Sequence, residues 1–438
     1  MALRAGVAVV NITPPIGIWM TGFAARPGPA NGVHDELYAR AVVVESGGAK
    51  VALVALDIIQ PDEAIVSRVR FTVEQWTGIP TENILLNSSH THSGPSTYRF
   101  NGMGNYDEAY CDVLGRKIAT AIKLAADQLQ PARLRFGKEH VAIGHNRRQR
   151  RANGSIGMGE NTEGAYDPTV YVIRFDFDHR GPVVILSHAA HPVILGGGNL
   201  DFSADFCSYA CRSVEEGLGD DSMAMFFQGC CGNINADRGD GSFEQAAKMG
   251  NKLGAAALNA AMNSESVSGE TIGAALEVVQ LPLVDPPSVE EAEETLRQFQ
   301  ETHEKAVAGG SHVNITIQEG LTNWASRVLA CAKEGKKERT QTIILQSVRL
   351  GDIGIAASEA ETFIEIGQAI QERSPFEHTI ALGYTNGCIG YLPTAAAYPE
   401  GGYEVATAIR YYGLLMMSPE SERIVVDRST RLLEQVRS

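Results

Sequence analysis

Short apolar runs, separated by glycine, proline and asparagine, recur through residues 1–270 of the chain. Runs of this length that end at turn-forming residues are typical of buried β-strands. They predict strands over Ala5 to Ile12, Ala39 to Glu45, Val51 to Leu56, Asn83 to Asn87, Arg133 to Val141, Val170 to Asp176, Val183 to Ala189 and Met223 to Gln228.

Segments with helical periodicity alternate with these strands. The pattern predicts helices over Glu63 to Gly78, Tyr106 to Leu129 and Phe243 to Met262. Strands that alternate with helices build a sheet whose faces are covered by those helices. We therefore expect an α/β fold with a central mixed β-sheet flanked by helices on both faces.

The stretch 287–340 has a different pattern and predicts an αα-hairpin inserted into this fold. Ser288 followed by Glu290 and Glu291 is a helix start with an acidic first turn. One helix is expected to run to Val307 and a second from Ile315 to Lys337, with Gly309-Gly310 between them. Strands over Thr342 to Leu350 and Ile353 to Ala357 then resume the sheet, so that residues 1–438 are expected to form a single domain.

The net charge limits the partners of the chain. Its 438 residues are 44% hydrophobic, as in globular proteins, and carry a formal net charge of −15. Such acidity disfavours nucleic acid and anionic membrane surfaces and leaves a small-molecule substrate. The oligomeric state stays open, a homo-oligomer included. The one basic cluster, Arg147 to Arg151, is flanked by Gly144 and Gly154 and predicts a functional loop.

Seven cysteines are spaced irregularly, with no CxxC pair, which favours neither a disulfide scaffold nor a structural zinc site. The N-terminus runs into a strand-like segment without a basic-then-apolar leader, and no run of 18 apolar residues is present. We therefore expect a cytoplasmic enzyme with reduced thiols and no stable membrane association.

Two histidines two residues apart are the strongest chemical signal in the sequence. His90 and His92 follow the apolar run Ile84 to Leu86 and precede Gly94-Pro95. Residues i and i+2 of a strand point to the same face, so both imidazoles are expected to emerge together where the strand ends. Converging imidazoles suit zinc. The alternative is a pair of polar strand-end residues that hydrogen-bond to nearby backbone.

A second histidine group, His188 and His191, ends the predicted strand that begins at Val183. His191 precedes a proline, which disfavours helical geometry and predicts a turn or strand end. The glycine-rich segment 196–198 follows, as is typical where a ligand binds at the edge of an α/β sheet. We interpret His191 as a ligand and His188 as a core or cap histidine.

Two further loops after strand ends carry polar groups. Glycines in 226–237 would let backbone N–H groups approach a substrate oxygen, and Cys230 and Cys231 there are interpreted as small buried residues rather than nucleophiles. The glycine-rich stretch 382–404 contains several tyrosines. These either line a site or cover an apolar core, since tyrosine buries its ring and keeps its hydroxyl hydrated.

Taken in order, these motifs resemble the catalytic domain of the neutral/alkaline (non-lysosomal) ceramidases, which are zinc-dependent amidases. The most diagnostic motif, His90 to Pro95, matches without a gap. The matching segments are Asn11-Ile12-Thr13-Pro14, Gly22-Phe23, Ala39-Arg40-Ala41, His90 to Pro95, Asn146-Arg147, Ser187 to His191, Ser203-Ala204-Asp205, Thr385-Asn386, Gly390-Tyr391 and Tyr403-Glu404. The resemblance implies a zinc hydrolase. Because the chain is shorter than typical ceramidases, we expect it to lack their C-terminal immunoglobulin-like domain.

The resemblance also implies a site with one zinc ion per chain. The implied metal ligands are His90, His191, Glu361 (with Glu359 as the fallback) and Tyr391. Two imidazoles and a carboxylate leave an open position for water or a substrate oxygen. His92 is implied to face the substrate as acid or base, and Arg147 and Tyr403 to hold the substrate or the developing oxyanion.

At one position the chain departs from the family. The family segment Gly-Asp-Val-Ser-Pro-Asn contains a serine proposed as a catalytic group, and Asn235 stands at that position here. An amide is not a nucleophile, so we hypothesise attack by zinc-activated water, with His92 moving the proton. Asn235, Asp205 and Asp237 are then expected on the substrate-binding side of the site. There, Asp205 or Asp237 would orient the groups that contact the substrate.

Three functions stay open at this point. The first is a zinc-dependent hydrolase of an amide or related acyl bond in a small polar substrate. The second is a zinc hydrolase of a sugar or lactone, since loops rich in Asn, Arg and Tyr also suit hydroxyl-rich ligands. The third is a zinc-binding pseudoenzyme or ligand-binding protein, against which the presence of His92, Arg147 and Tyr403 argues. Ceramide itself is not expected, because residues 1–100 show no amphipathic helix to meet a membrane.

Overall fold

The computed structural model describes residues 3–438; Met1 and Ala2, at the start of the segment in which no leader is expected, lie outside the described residues. The strands are, in chain order, β1 (Arg4–Asn11), β2 (Gly32–Val33), β3 (Tyr38–Ser46), β4 (Ala49–Leu56), β5 (Ile84–Ser88), β6 (Gln130–His140), β7 (Gly144–Arg150), β8 (Ile156–Asn161), β9 (Thr169–Phe177), β10 (Val183–His188), β11 (Asp201–Phe202), β12 (Met223–Gln228), β13 (Ile234–Ala236), β14 (Glu265–Ser266), β15 (Ile272–Pro282), β16 (Thr340–Leu350), β17 (Ile353–Ser358), β18 (Glu361–Thr362), β19 (His378–Leu382) and β20 (Tyr391–Leu392). The α-helices are α1 (Glu63–Thr77), α2 (Glu108–Asp127), α3 (Phe206–Leu218), α4 (Phe243–Met262), α5 (Val289–Gly309), α6 (His312–Lys333), α7 (Ile364–Arg373), α8 (Ala397–Glu400), α9 (Ile409–Tyr412) and α10 (Ser421–Arg437). Short 3₁₀ and π-helical turns span Thr81–Asn83 and Tyr403–Thr407.

Nine strands form a large mixed sheet in the order β12-β10-β9-β6-β1-β3-β4-β5, with β14 beside β6. Neighbouring strands are antiparallel except for the parallel pairs β4–β5 and β10–β12. Strands β1 and β6 pair only where Arg4 and Ala5 meet Pro131 and Gln130. The sheet therefore consists of two halves joined at one corner, with β5 and β12 as its outer edges.

A second sheet, ordered β15-β16-β17-β19, packs face to face on the large one. Val42 and Leu53 from the large sheet share one buried apolar cluster with Val348 and Ile355 from the second sheet. Two sheets that bury one face of each against the other form the core of a sandwich.

Helices cover the outer faces of both sheets. On the large sheet, α2 packs on β1 and β3, and α4 packs on β6 and β9; on the second sheet, α7 and α10 pack on β19 and β16. The predicted α/β class with a large mixed sheet and flanking helices is confirmed. Helices lie on the two outer faces of the sandwich, and the second sheet, rather than helices, covers the inner face of the large sheet. The layering of two sheets was not predictable, because an apolar pattern shows which face is buried and not what buries it.

The predicted αα-hairpin insertion is also confirmed. Ser288 and Glu291 form a reciprocal capping box at the start of α5, and Gly310 ends α5 in the left-handed conformation with φ of 70°. Only Ala292 of α5 is buried, whereas α6 packs on α5 and on α9. The hairpin therefore stands on the body of the protein through α6.

The prediction that the basic cluster forms a loop is wrong, because Arg147 and its neighbours lie on strand β7. This strand pairs with β13 on one side and with β8 on the other. Asn146, Arg147 and Arg148 are buried. Their polar side chains hide the alternation by which a strand is recognised, and the partner β13 comes from a distant part of the chain.

Among residues 3–438, no helix combines the length and the hydropathy that crossing a membrane requires.

Gly137 on β6 is expected to be essential for the packing of α4. A Cβ atom there would lie 2.2 Å from the carbonyl oxygen of Ala260 on α4, so Gly137→Ala must push the helix away from the sheet. We expect a loss of about 2 kcal/mol in the free energy of unfolding, measured by urea denaturation. Gly273→Ala on β15 is the control, because nothing lies within 4 Å of its Cβ position. Equal stability of the two variants would contradict this account.

Candidate metal centre

Three histidine rings meet at the ends of two strands of the large sheet. His90 and His92 follow β5, and His191 follows β10. One ring nitrogen from each lies within 4.8 Å of the others. The ring centroids are 5.0 to 5.8 Å apart. The structure thus places the predicted pair side by side and adds His191 to it.

Two buried amide side chains, Asn87 and Gln228, bring these strand ends together. They lie on β5 and β12, the two edges of the large sheet, and the backbone N–H of Gln228 donates to Asn87 Oδ1 at 2.7 Å. The Gln228 side-chain nitrogen also donates to the carbonyl oxygens of Ser89 and Ala190 at 2.8 and 2.9 Å. Ser89 and Ala190 directly precede His90 and His191, so the Gln228 side chain holds both histidine segments in place.

Backbone carbonyl groups orient two of the rings. His90 Nδ1 donates to the carbonyl oxygen of Ile59 at 2.9 Å, and His191 Nδ1 donates to that of Cys231 at 2.7 Å. Because a carbonyl oxygen only accepts, both Nδ1 atoms carry the proton, and each Nε2 of the neutral ring presents a lone pair. His90 also has a φ of 63°, in the left-handed region, so the surrounding structure holds this ring against backbone strain.

The carboxylate of Glu361 faces both Nε2 atoms. Its Oε2 lies 2.9 Å from His191 Nε2 and 3.5 Å from His90 Nε2, and its side chain is 1% exposed. Burial alone would raise the pKa of Glu361, but His90 and His191 hold it well below its usual 4.5. Burial, with the charge of Arg147, lowers the pKa of His191 from 6.5 to about 4. The Glu361 carboxylate oxygen and the Nε2 atoms of His90 and His191 converge, a donor set that suits zinc.

His92 lies beside this donor set. Within residues 3–438, both of its ring nitrogens are buried without a hydrogen-bond partner, and the ring meets Phe23 edge-on at 5.1 Å. Burial, with the neighbouring His90 and His191, lowers the pKa of His92 well below 6.5, so the ring is neutral. Buried polar atoms are normally paired. The two nitrogens are therefore available to a metal ion or to a substrate.

Arg147 on β7 joins four further residues to the site. Its Nε donates to Glu404 Oε1 at 2.8 Å, its Nη1 to Asn235 Oδ1 at 3.0 Å and its Nη2 to the Tyr391 hydroxyl at 2.9 Å. The guanidinium carbon lies 6.0 Å from the ring centre of Tyr403. Asn235, Tyr391 and Tyr403 are thus brought together by one cation, and backbone pairing sets Tyr391 beside Glu361.

Glu404 compensates two buried arginines. Besides Arg147, it accepts from Arg148 Nη1 at 2.8 Å, and the three side chains are 2 to 7% exposed. Burial alone would raise the pKa of Glu404, but the charge and hydrogen bond of Arg147 lower it below its usual 4.5. The ionised carboxylate is therefore part of the folded site.

The two predicted aspartates lie elsewhere. Asp205 is the buried N-cap of α3 and accepts from the backbone N–H groups of Phe206 and Leu195, and burial raises its pKa to about 7. It holds the loop that follows His191. The Asp237 carboxylate is exposed and accepts from the N–H of Gly239 at 3.2 Å, because the chain turns to the surface after β13 ends. The structure does not bring Asp237 into the cluster.

His188 and Glu359 are also outside the cluster. His188 is buried on β10, and its Nδ1 donates to the carbonyl oxygen of Thr169 at 2.9 Å, in keeping with a core histidine. Glu359, the fallback ligand, accepts from the backbone N–H of Ile344 at 2.9 Å. Of the two glutamates, only Glu361 faces the histidines.

Two tyrosines at the site were not predicted. The hydroxyl of Tyr384 lies 3.4 Å from both His191 Nε2 and Glu361 Oε2, and that of Tyr412 donates to Glu361 Oε1. The sequence left the tyrosines of 382–404 open between a site and a core cover. No local signal separates these roles, and Tyr412 lies beyond the stretch considered.

Comparisons with known proteins agree with the arrangement of motifs. The family model described as "Neutral/alkaline non-lysosomal ceramidase, N-terminal" matches residues 3–282. A neutral ceramidase of Pseudomonas aeruginosa is 23% identical over 494 residues, which cover 99% of this chain and 72% of that protein. A neutral ceramidase of Oryza sativa subsp. japonica is 25% identical over 224 residues, which cover 48% of this chain and 28% of that protein.

Two solved structures share the fold. The crystal structure of the Pseudomonas aeruginosa neutral ceramidase has a TM-score of 0.74 at 20% identity, covering 99% of this chain and 75% of that chain. A ceramidase complexed with C2 has a TM-score of 0.78 at 19% identity, covering 100% of this chain and 75% of that chain. At these identities the likeness establishes the architecture.

Loss of the Glu404 charge is expected to destabilise the protein strongly. Glu404→Gln leaves two buried guanidinium groups without their carboxylate, which should lower the free energy of unfolding at pH 7 by about 3 kcal/mol in urea titrations. Because the pKa of Glu404 is depressed in the folded state, its stabilisation is present above pH 4.5 and lost below it. The difference between wild type and variant should therefore shrink as the pH falls below 4.5.

The matched control is Glu400→Gln. Glu400 also contacts Arg148, but its side chain is 37% exposed, and such pairs contribute about 1 kcal/mol or less. Equal losses in the two variants would show that burial of the Arg147–Glu404 pair is not what matters.

Proposed function

The chain belongs to the neutral/alkaline non-lysosomal ceramidase family, and we propose that it is a zinc-dependent hydrolase that cleaves an amide or related acyl bond of a small polar substrate. One observation carries the proposal. The lone pairs of His90 and His191 converge with the carboxylate of Glu361 in a buried site, beside the unpaired nitrogens of His92.

The residues present fit a zinc ion. His90, His191 and Glu361 would hold it, and each histidine already has its Nδ1 proton bound by a backbone carbonyl group. Tyr391 is the proposed fourth ligand. Its hydroxyl oxygen accepts a hydrogen bond from Arg147, and its second lone pair stays available. Zinc in such a site supplies Lewis acidity, which polarises an acyl oxygen and acidifies a water molecule.

In the proposed reaction, a water oxygen attacks the acyl carbon, and the bond from that carbon to the leaving nitrogen breaks. His92 is neutral and unpaired, so one ring nitrogen can take the proton of the attacking water and return it to the leaving amine. Arg147 and Tyr403 would stabilise the negative charge that develops on the acyl oxygen.

Asn235 has a positioning role in this scheme. Its Oδ1 accepts from Arg147 Nη1 at 3.0 Å, so it orients the guanidinium group toward the site. The asparagine stands at the position of the serine in the family segment, but its amide cannot act as a nucleophile. This supports a reaction in which water, rather than a side chain, attacks.

We expect the purified protein to contain about one zinc ion per chain, measured by elemental analysis. His90→Ala and Glu361→Gln should each lose most of it, because each removes one of the four proposed protein ligands. His140→Ala is the control and should keep the metal, because His140 is exposed and lies outside the histidine cluster. If the purified wild-type protein contained no metal and also bound no zinc when zinc was added, the metal site would be refuted.

We also expect wild type to hydrolyse members of a panel of N-acyl amides and esters, and to lose this activity on chelation and regain it with zinc. Asn235→Ser should not be required for activity. A panel that also contains glycosides and lactones identifies the alternative substrate class. Zinc-dependent ligand binding without turnover would support a pseudoenzyme, and an inactive wild type made active by Asn235→Ser would show that the serine is needed.

A further inference from the structure

The two carboxylate oxygens of Glu361 have different surroundings. Oε2 faces His90 and His191, and the Tyr384 hydroxyl lies 3.4 Å from it. Oε1 accepts the hydroxyl proton of Tyr412. A carboxylate oxygen only accepts hydrogen bonds, so the Tyr412 hydroxyl is the donor. One oxygen therefore belongs to the donor cluster, and the other is occupied by a phenol.

Packing holds Tyr412 in this position. The ring meets Phe100 edge-on at a centroid distance of 5.0 Å. On another side it lies against Gly390, where a Cβ would be 3.3 Å from Tyr412 Cγ, at a φ of 109° that favours glycine. The close approach of the ring to this backbone leaves little freedom for the hydroxyl to leave Glu361.

The helical insertion supports the short helix α9, on which Tyr412 lies. Trp324 Nε1 on α6 donates to the carbonyl oxygen of Leu414 at 3.0 Å. Asn101 donates from its backbone to the carbonyl oxygen of Tyr411 at 2.9 Å and from its side chain to that of Arg410 at 2.9 Å. Elements outside the histidine cluster thus determine where the phenol stands.

We propose that Tyr412 is a positioning residue that makes Glu361 present a single oxygen, Oε2, to the metal ion. This inference rests on the proposed function, since it concerns a metal held by His90, His191 and Glu361. A carboxylate can bind a metal through one oxygen or through two. A hydrogen bond that occupies Oε1 favours the first mode and keeps a coordination position open for water or substrate, as a catalytic zinc site requires.

Tyr412→Phe tests the proposal, because it removes one oxygen atom and keeps the ring. A buried carboxylate oxygen that loses its donor is left unsatisfied, and a metal ion already held through Oε2 would supply a partner to it. We expect the variant to bind one cobalt(II) ion per chain, as wild type does, but with weaker visible absorption, since cobalt(II) absorbs less strongly as its coordination number rises. With any substrate that the panel identifies, kcat should fall about 10- to 100-fold and KM change less.

Tyr411→Phe is the matched control, because this neighbouring phenol makes no hydrogen bond to Glu361 in the described residues. It should keep both the absorption and kcat of wild type. A Tyr412→Phe protein with a lower unfolding temperature but unchanged cobalt absorption would show a merely structural role and overturn the proposal. Failure of wild type itself to bind cobalt would instead refute the proposed metal site, so the two failures are distinguishable.

Discussion

The site depends on one interaction between buried amides, the pairing of Asn87 on β5 with Gln228 on β12. These strands are opposite edges of the large sheet, and no ladder of backbone hydrogen bonds joins them in the described chain. The Asn87 carboxamide binds the backbone of Gln228, and the Gln228 carboxamide binds the residues before His90 and His191. In a buried environment each of these bonds is costly to lose. Histidines from strands that are distant in the sheet therefore face one point.

Charge compensation is the second requirement of this interior. Arg147 lies between the Glu404 carboxylate and the acceptors Asn235 and Tyr391. A buried cation without its anion would be strongly destabilising, so Glu404 permits a guanidinium group to lie beside the histidine cluster. The same reasoning applies to Glu361, whose negative charge is, in our proposal, matched by zinc. Among residues 3–438, the site is a polar network in which nearly every group is paired and the ring nitrogens of His92 have no hydrogen-bond partner.

Replacement of the family serine by Asn235 shifts the role of that position within the network. The asparagine accepts from Arg147, so the position contributes to the orientation of a cation. Together with the phenols of Tyr384 and Tyr412 around Glu361, this gives a site in which protein groups orient and polarise. In our proposal, water supplies the attacking oxygen.

The periodicity of apolar residues was enough to locate most strands and helices, because it is a local property that each segment carries by itself. It was enough for Phe243–Met262, whose predicted bounds are those of α4, and for the insertion of α5 and α6. Strand geometry predicted that His90 and His92 lie side by side, but β5 ends at Ser88 and His90 has a φ of 63°. The loop after the strand and its tertiary contacts, rather than strand alternation, therefore bring the two rings together. Tertiary structure alone decided that β7 is a strand, that Asp237 lies at the surface and that Tyr384 and Tyr412 meet Glu361. Strand β7 pairs with β13 from a distant part of the chain, and Tyr412 contacts Glu361 across a sequence separation of 51 residues. No local pattern records a contact between distant segments.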